Sequence, residues 1–294
     1  MVIVRLNGGL GNQMFQYAAG RALADRLGTE LLLDTRAFVH ALSLQAYTRR
    51  AYALAPFTLR ARVASATDLK NWPVWVMELG IRLRLVRTLF RRWHFEPAIT
   101  YDPSMLTLHE PICLVGYWQS ERYFIDIADK LRADFALAQP MSGDNAKLLD
   151  LARSAGSVGL HVRRGDFANL KYATQVHGLC SIDYYRRAIG IVRKRCPECH
   201  FLVFSDDPQW ARAELPLDRS AVFVAGNEER PEQDMALMRA CKHHITANSS
   251  FSWWASWLGN SPDQIVIAPT PWYASPKLDA RDLAVPRWHY ISRL

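Results

Sequence analysis

His161, Arg163, Arg164 and Asp166 close the stretch Ser157 to Asp166, SVGLHVRRGD, placing an imidazole, two guanidiniums and a carboxylate in near succession. Paired guanidiniums suit an anion, and a planar fork that holds two oxygens at once suits a diphosphate better than a lysine ammonium does. The competing reading pairs one arginine with Asp166 and leaves the other in water, because most charge runs are solvated faces. A second set, Asn248-Ser249-Ser250-Phe251, leads into a tryptophan-rich run and would present hydroxyls and backbone N–H groups to a phosphate at a helix start, or serve as a plain N-cap. A third, Ser205-Asp206-Asp207, follows the apolar run Phe201 to Phe204. There Asp206 could accept both N–H donors of a guanine edge, or cap the next helix. The fourth is the loop Asn7-Gly8-Gly9-Leu10-Gly11-Asn12-Gln13. Its small residues, Gly9 and Gly11 among them, would let a ligand approach the backbone while Asn12 and Gln13 supply amides; the alternative is a tight turn with more glycine than it needs.

These groups must be positioned by strands that end beside them. Val158, Leu160 and Val162 alternate as a strand and Gly165 permits a tight turn, so the charged knot falls at a strand's carboxyl end, where ligands bind in open α/β sheets. Alternation places Arg163 and Arg164 on opposite faces. At the start of the chain, Val2 to Leu6 reads as a strand, Gln13 to Leu27 as a helix with Phe15, Ala18, Ala19, Ala22 and Leu23 on one face, and Glu30 to Asp34 as a second strand. The glycine loop completes neither G-x-G-x-x-G nor a P-loop, since no lysine follows. Further strands are expected at Ile112 to Trp118, Phe201 to Phe204, Ala221 to Val224, His243 to Ala247 and, as the last core strand, Gln264 to Ala268. Helices are expected from Ser120 to Phe135, Ser181 to about Lys194, Pro231 to Cys241 and Trp253 to Leu258, with an irregular tail from Pro269. Strands alternating with helices imply an α/β fold, and the linker-like Gln139 to Asn145 marks a domain boundary. Between Arg36 and Thr107 the pattern loosens. Val76, Leu79, Leu83, Val86 and Phe90 recur there beside Arg84, Arg87 and Arg91, a basic amphipathic helix for an anionic membrane or for internal packing.

The 294 residues, half of them hydrophobic, suffice for two domains, and the net charge of +8 admits nucleic acid, a membrane surface or phosphorylated small molecules. No RRM, KH or OB pattern supports nucleic acid. No leader or long apolar run is evident, so the expectation is a cytoplasmic protein with at most peripheral contact at the inner face of the membrane. Five cysteines read as reduced thiols, and Cys196 with Cys199 as a chance C-x-x-C; the sequon at Asn248 is discounted with secretion. There is no Asp-x-Asp and no set of metal-ligand spacing, so neither metal nor cofactor is expected.

Four stretches, GGLGNQMFQYAAGRALA, HVRRGDF, FSDDPQWAR and HHITANSSFSWWASWLG, together resemble the α-1,2-fucosyltransferases of glycosyltransferase family 11, in order and spacing, along nearly the whole chain. The resemblance implies a GT-B-like pair of Rossmann-type domains with a cleft between them: residues 1–140 on the acceptor side and 141–294 binding GDP-fucose. It implies inverting, metal-independent transfer of fucose to a galactose hydroxyl of an oligosaccharide or lipid-linked glycan, in surface polysaccharide biosynthesis. Carried over, Arg163 holds the β-phosphate, His161 contacts ribose or phosphate, and Asp166 orients the arginines. Asp206 meets guanine, Ser249, Ser250 and Phe251 close on the diphosphate, and Asn12 faces fucose and the acceptor. The general base is not identified: Asp166 locked to arginines would have a depressed pKa. The alternatives are a nucleotide-sugar-binding protein without turnover and a fucosyltransferase of another linkage.

Overall fold

The computed structural model describes residues 1–39, 50–74, 92–165 and 171–294. The chain forms two compact units, Met1–Ala136 with Arg281–Leu283, and Leu137–Ala280 with Ala284–Leu294. The division thus falls just ahead of the linker-like stretch, and a short piece of the tail belongs to the first unit. Each unit is built on one parallel sheet, the two Rossmann-type halves of a GT-B-like α/β fold.

In the first unit, β1 (Val2–Arg5), β2 (Leu31–Asp34), β3 (Arg62–Val63), β4 (Trp93–Phe95) and β5 (Ile112–Val115) are ordered β3-β2-β1-β5-β4. β1 and β5 are buried on both faces, which is why they read as continuous apolar runs. The helix α1 (Leu10–Leu27) begins inside the glycine loop, three residues earlier than the periodicity suggests, and it is buried on most sides, with Gln13, Gln16 and Tyr17 enclosed as well. Sheet order reverses between β1 and β5, so the switch point of this unit lies where the glycine loop and the segment after Val115 emerge.

The helix expected from Ser120 to Phe135 is instead two 3₁₀ turns, Glu121–Tyr123 and Ile125–Ile127, followed by a helix over Ala128–Asp134. Phe124 sits at φ −144°, ψ 8°, between the turns. Its ring packs 6.1 Å from Phe15, while Tyr123 packs 4.8 Å from Tyr101 and 5.6 Å from Trp118. Burying both neighbours breaks the helix; Ser120 still caps the first turn, accepting from the Arg122 amide. The basic helix read over residues 76–90 lies outside the described residues. Among the described residues no helix is long and apolar enough to cross a membrane.

In the second unit, β6 (Ser157–Val162), β7 (His200–Ser205), β8 (Val222–Phe223), β9 (His243–Ile245), β10 (Val266–Thr270) and β11 (His289–Ser292) take the order β11-β10-β9-β6-β7-β8. Read from β8 this is the order 3-2-1-4-5-6 of a dinucleotide-binding sheet, with its switch point between β6 and β9. Tyr184, Tyr185, Ile189 and Val192 of the helix Ile182–Arg195 pack on Leu160, Val203 and Ile245. Burying each aliphatic side chain contributes roughly 1.5–3 kcal/mol. The tail is not irregular: β11 lies parallel to β10, so Gln264 to Ala268 is not the last strand. As an edge strand with both ends exposed, β11 lacks the apolar run that marks the others.

His244 on β9 is fully buried, its Nε2 donating to the Met238 carbonyl at 2.8 Å and its Nδ1 accepting from Gln264 at 2.9 Å. Burial depresses its pKa to about 4. The unfolded chain therefore binds a proton between about pH 6.5 and 4 that the folded chain does not, so stability falls as pH drops through that window. Thermal unfolding followed from pH 7 to pH 4.5 should show this loss, and His244→Gln should shrink its slope.

Candidate active site

At the switch point of the second unit, the residues that follow β6, β7 and β9 come together. Arg163 Nη1 lies 2.9 Å from Asp206 Oδ2, and the other oxygen of Asp206 accepts the Arg164 backbone N–H at 2.8 Å. Asp206 is therefore not the cap of the following helix. That place belongs to Asp207, which accepts from the Trp210 amide at 3.1 Å and whose own amide donates to the Ser205 hydroxyl. Both oxygens of Asp206 are engaged by the arginine pair, and guanine would compete for them.

Arg164 takes a different partner. Its Nε stands 3.4 Å from Asp207 Oδ2 and its guanidinium lies 4.2 Å from the Trp210 ring centroid, a cation–π contact. Both arginines lie beyond Val162, the last residue of β6, so carboxylates and not strand alternation set their directions. Gly165 is required less for a turn than for space, since a Cβ there would stand 2.5 Å from Asp206 Oδ2. Asp166 lies outside the described residues.

His161 is buried, and its Nδ1 has no hydrogen-bond partner among the described residues. Burial, then the charge of Arg163, hold its pKa down to about 3, so the imidazole is neutral. Its ring meets Phe251 at 5.4 Å, which joins the β6 end to the loop after β9, and its carbonyl accepts from the Tyr185 hydroxyl at 3.1 Å. That loop opens the helix Ser250–Leu258, three residues earlier than expected, with Ser249 as N-cap through the Phe251 amide. Asn248 is buried and its amide is spent on structure, donating to the carbonyls of His177, Gly178 and Trp272. Arg293, from the C-terminal tail, donates to the same His177 carbonyl at 2.9 Å. Sequence reasoning misses Trp210, Tyr185 and Arg293 as parts of this site; only Trp210, three residues past Asp207, carries a local signal.

The first unit holds the glycine loop. Gly8 adopts φ +76°, which a side chain would resist, and Gly9 caps α1 with extended backbone and no side-chain cap. Gly11 is buried in the first turn of α1. Gln13 does not face a ligand: its Nε2 donates to the Gly8 and Ala51 carbonyls and its Oε1 accepts from the Ala53 amide. Gln16 braces the same loop, accepting from the Asn7 amide and donating to the Gly116 carbonyl. Asn12 Oδ1 accepts from Gln119 Nε2 at 2.9 Å, tying the loop to the segment after β5.

A family model described as Glycosyl transferase family 11 matches residues 1–292. The chain belongs to glycosyl transferase family 11. Among its relatives, an α-1,2-colitosyltransferase of Escherichia coli is 34% identical over 300 residues, covering 100% of this chain and 99% of that one. Galactoside α-(1,2)-fucosyltransferase 1 of Bos taurus is 26% identical over 271 residues, covering 89% and 67%. The fold is shared with NodZ α-1,6-fucosyltransferase co-crystallized with GDP, at 17% identity and a TM-score of 0.50, covering 90% of this chain and 94% of that one.

In a glycosyltransferase of this family, lysine at position 163 would keep the charge of the arginine but lose its fork. Arg163→Lys is expected to lower kcat at least roughly tenfold, with a smaller change in donor affinity, because a leaving group gains charge only as its bond breaks. Arg164→Lys, which weakens a stack on Trp210, should be the milder change. Turnover assays paired with calorimetry on both variants check the ranking.

Proposed function

We propose that this chain transfers L-fucose from GDP-fucose to a galactose hydroxyl of a glycan, forming an α-1,2 linkage with inversion at the anomeric carbon. The observation that carries the reading is the convergence of Arg163 with its Asp206 partner, His161 and the Ser249–Phe251 helix start at the switch point of a dinucleotide-type sheet. Guanidinium, helix N–H groups and hydroxyls are the donors that a departing diphosphate needs, and they are worth most where water is thin. On this reading the second unit holds the GDP moiety, with Arg163 on the β-phosphate and Ser249, Ser250 and Phe251 around the diphosphate. Asp206 keeps Arg163 aimed, and the first unit, through the Asn12 loop, receives the acceptor, an oligosaccharide or lipid-linked glycan.

A second donor has a specific observation behind it, the 34% identity to a colitosyltransferase over the full chain. Colitose is fucose lacking one ring hydroxyl, so a single contact to that hydroxyl separates the two readings. A site built to hydrogen-bond a hydroxyl rejects the analogue without it far more strongly than an apolar pocket rejects an extra one.

The missing Asp-x-Asp and the arginine pair favour transfer without a metal. Purified protein given GDP-fucose or GDP-colitose with galactosides should form a linkage that NMR identifies as α-1,2, and the rate should stay within a few-fold in EDTA. Complete loss in EDTA, restored by manganese, would show that the arginines do not suffice. Turnover with GDP-colitose alone would move the donor assignment and leave the linkage and the diphosphate grip in place.

A further inference from the structure

The proposed transfer removes a proton from the acceptor hydroxyl, and among the described residues of the second unit's cluster Asp206 and Asp207 are both paired with arginines. A further carboxylate stands at the carboxyl edge of the first unit's sheet. Glu96 follows β4 directly, and its backbone N–H donates to the Val115 carbonyl of β5. Its two carboxylate oxygens accept from the backbone amides of Tyr117 and Trp118, at 2.7 and 2.8 Å. The carboxylate is thus fixed over the segment that leaves β5 at the switch point. The next residue in that segment, Gln119, bonds to Asn12 of the glycine loop, so the two halves of the crevice edge and Glu96 form one connected group.

The local backbone is arranged around this side chain. A Cβ at Gly116 would stand 2.4 Å from the Glu96 Cβ and 2.9 Å from its Oε2, so glycine leaves the room that the carboxylate occupies. Trp118 holds φ 57°, a left-handed conformation that a bulky residue adopts only when its surroundings enforce it. Tyr117, beside the carboxylate, is 41% exposed, an aromatic surface of the kind on which a sugar ring rests. Glu96 itself is half-buried.

We propose that Glu96 is the proton acceptor of the transfer reaction, and that Tyr117 supports the acceptor sugar beside it. This rests on the transferase reading. The acceptor O–H proton passes to a Glu96 oxygen as that hydroxyl oxygen bonds to the anomeric carbon. The bond from that carbon to the diphosphate breaks and its electron pair leaves with GDP, after which Glu96 releases the proton to solvent. Burial raises the pKa of Glu96 above its ordinary value, against the pull of its two amide partners, which brings it closer to a working base. Among the described residues, the titratable groups about it include the phenols of Tyr117 and Tyr123, with Asp102 beside Tyr123 and His94 on β4 itself. Both phenols are shifted upward by burial first, and Glu96 adds to each. Burial lowers the pKa of His94, against the pull of Asp102, so on this reading the acid-side loss of activity belongs to the carboxylate of Glu96.

The test uses the full chain and compares wild type, Glu96→Gln and Glu96→Ala. Transfer kcat should fall at least roughly a hundredfold in both variants, the usual scale of a lost general base, while GDP affinity and donor KM stay within about threefold. Wild-type kcat should decline toward acid, and Glu96→Gln should lose that limb. Sodium azide is an anionic nucleophile with no proton to lose, so it should restore GDP release from the donor in Glu96→Ala. A Glu96→Gln enzyme within about threefold of wild type would overturn the assignment. So would a variant whose loss azide does not repair and whose acid limb persists, since Glu96 would then only hold the 117–118 turn. Disappearance of the acid limb in Asp166→Asn instead would move the role there. A wild-type chain inert with every GDP donor would fail a step earlier, at the transferase reading itself.

Discussion

A guanidinium and a carboxylate 2.9 Å apart, Arg163 and Asp206, join the ends of β6 and β7, and the arrangement of the second unit follows from holding that pair in place. Arginine alone is a long, floppy cation with much rotamer freedom to lose. Asp206 removes that freedom before any ligand arrives, and it is fixed by the Arg164 amide and by the close pass of Gly165. Asp207, one residue on, plays a different part, capping the next helix and drawing Arg164 onto Trp210. Two adjacent arginines thus receive two adjacent aspartates, and only the first pair stands next to His161 in sequence and in charge.

The remaining wall of that switch point is built by structural hydrogen bonds. Asn248 and Arg293 together secure the His177 carbonyl, so the residue that follows β11 reaches back to the loop that opens the Ser250–Leu258 helix. The same economy appears in the first unit. Gln13 and Gln16 brace the glycine loop from inside α1 through the Gly8 carbonyl and the Asn7 amide, and Gln16 and Asn12 both tie it to the segment after β5. A loop rich in glycine gains a defined shape only through such bonds, because glycine itself imposes none.

Much of this was legible in the sequence for one physical reason. Parallel strands buried on both faces are largely apolar, so β1, β2, β6 and β7 announce themselves, and the polar residues that follow each mark the ligand edge. The chain was less legible where tertiary packing decides. Tyr123 and Phe124 needed separate cavities, which cut an expected helix into turns, and β11 is an edge strand with no apolar run. Asp206 could be read as a guanine partner or as a helix cap until the fold paired it with an arginine and gave the cap to Asp207. Glu96 gave no signal at all, since its place depends on Gly116 and the turn at Trp118, distant in sequence and without periodicity.

If Asp206 acts by holding Arg163, the two residues are one device, and their removal cannot be additive. A double-mutant cycle on kcat with Arg163→Lys, Asp206→Asn and the double variant measures this directly. Residues in one ion pair typically couple by about 0.5–3 kcal/mol, so the double variant should be far less impaired than the product of the single losses. Additivity within roughly 0.3–0.5 kcal/mol would contradict the account and return Asp206 to an independent role at the guanine.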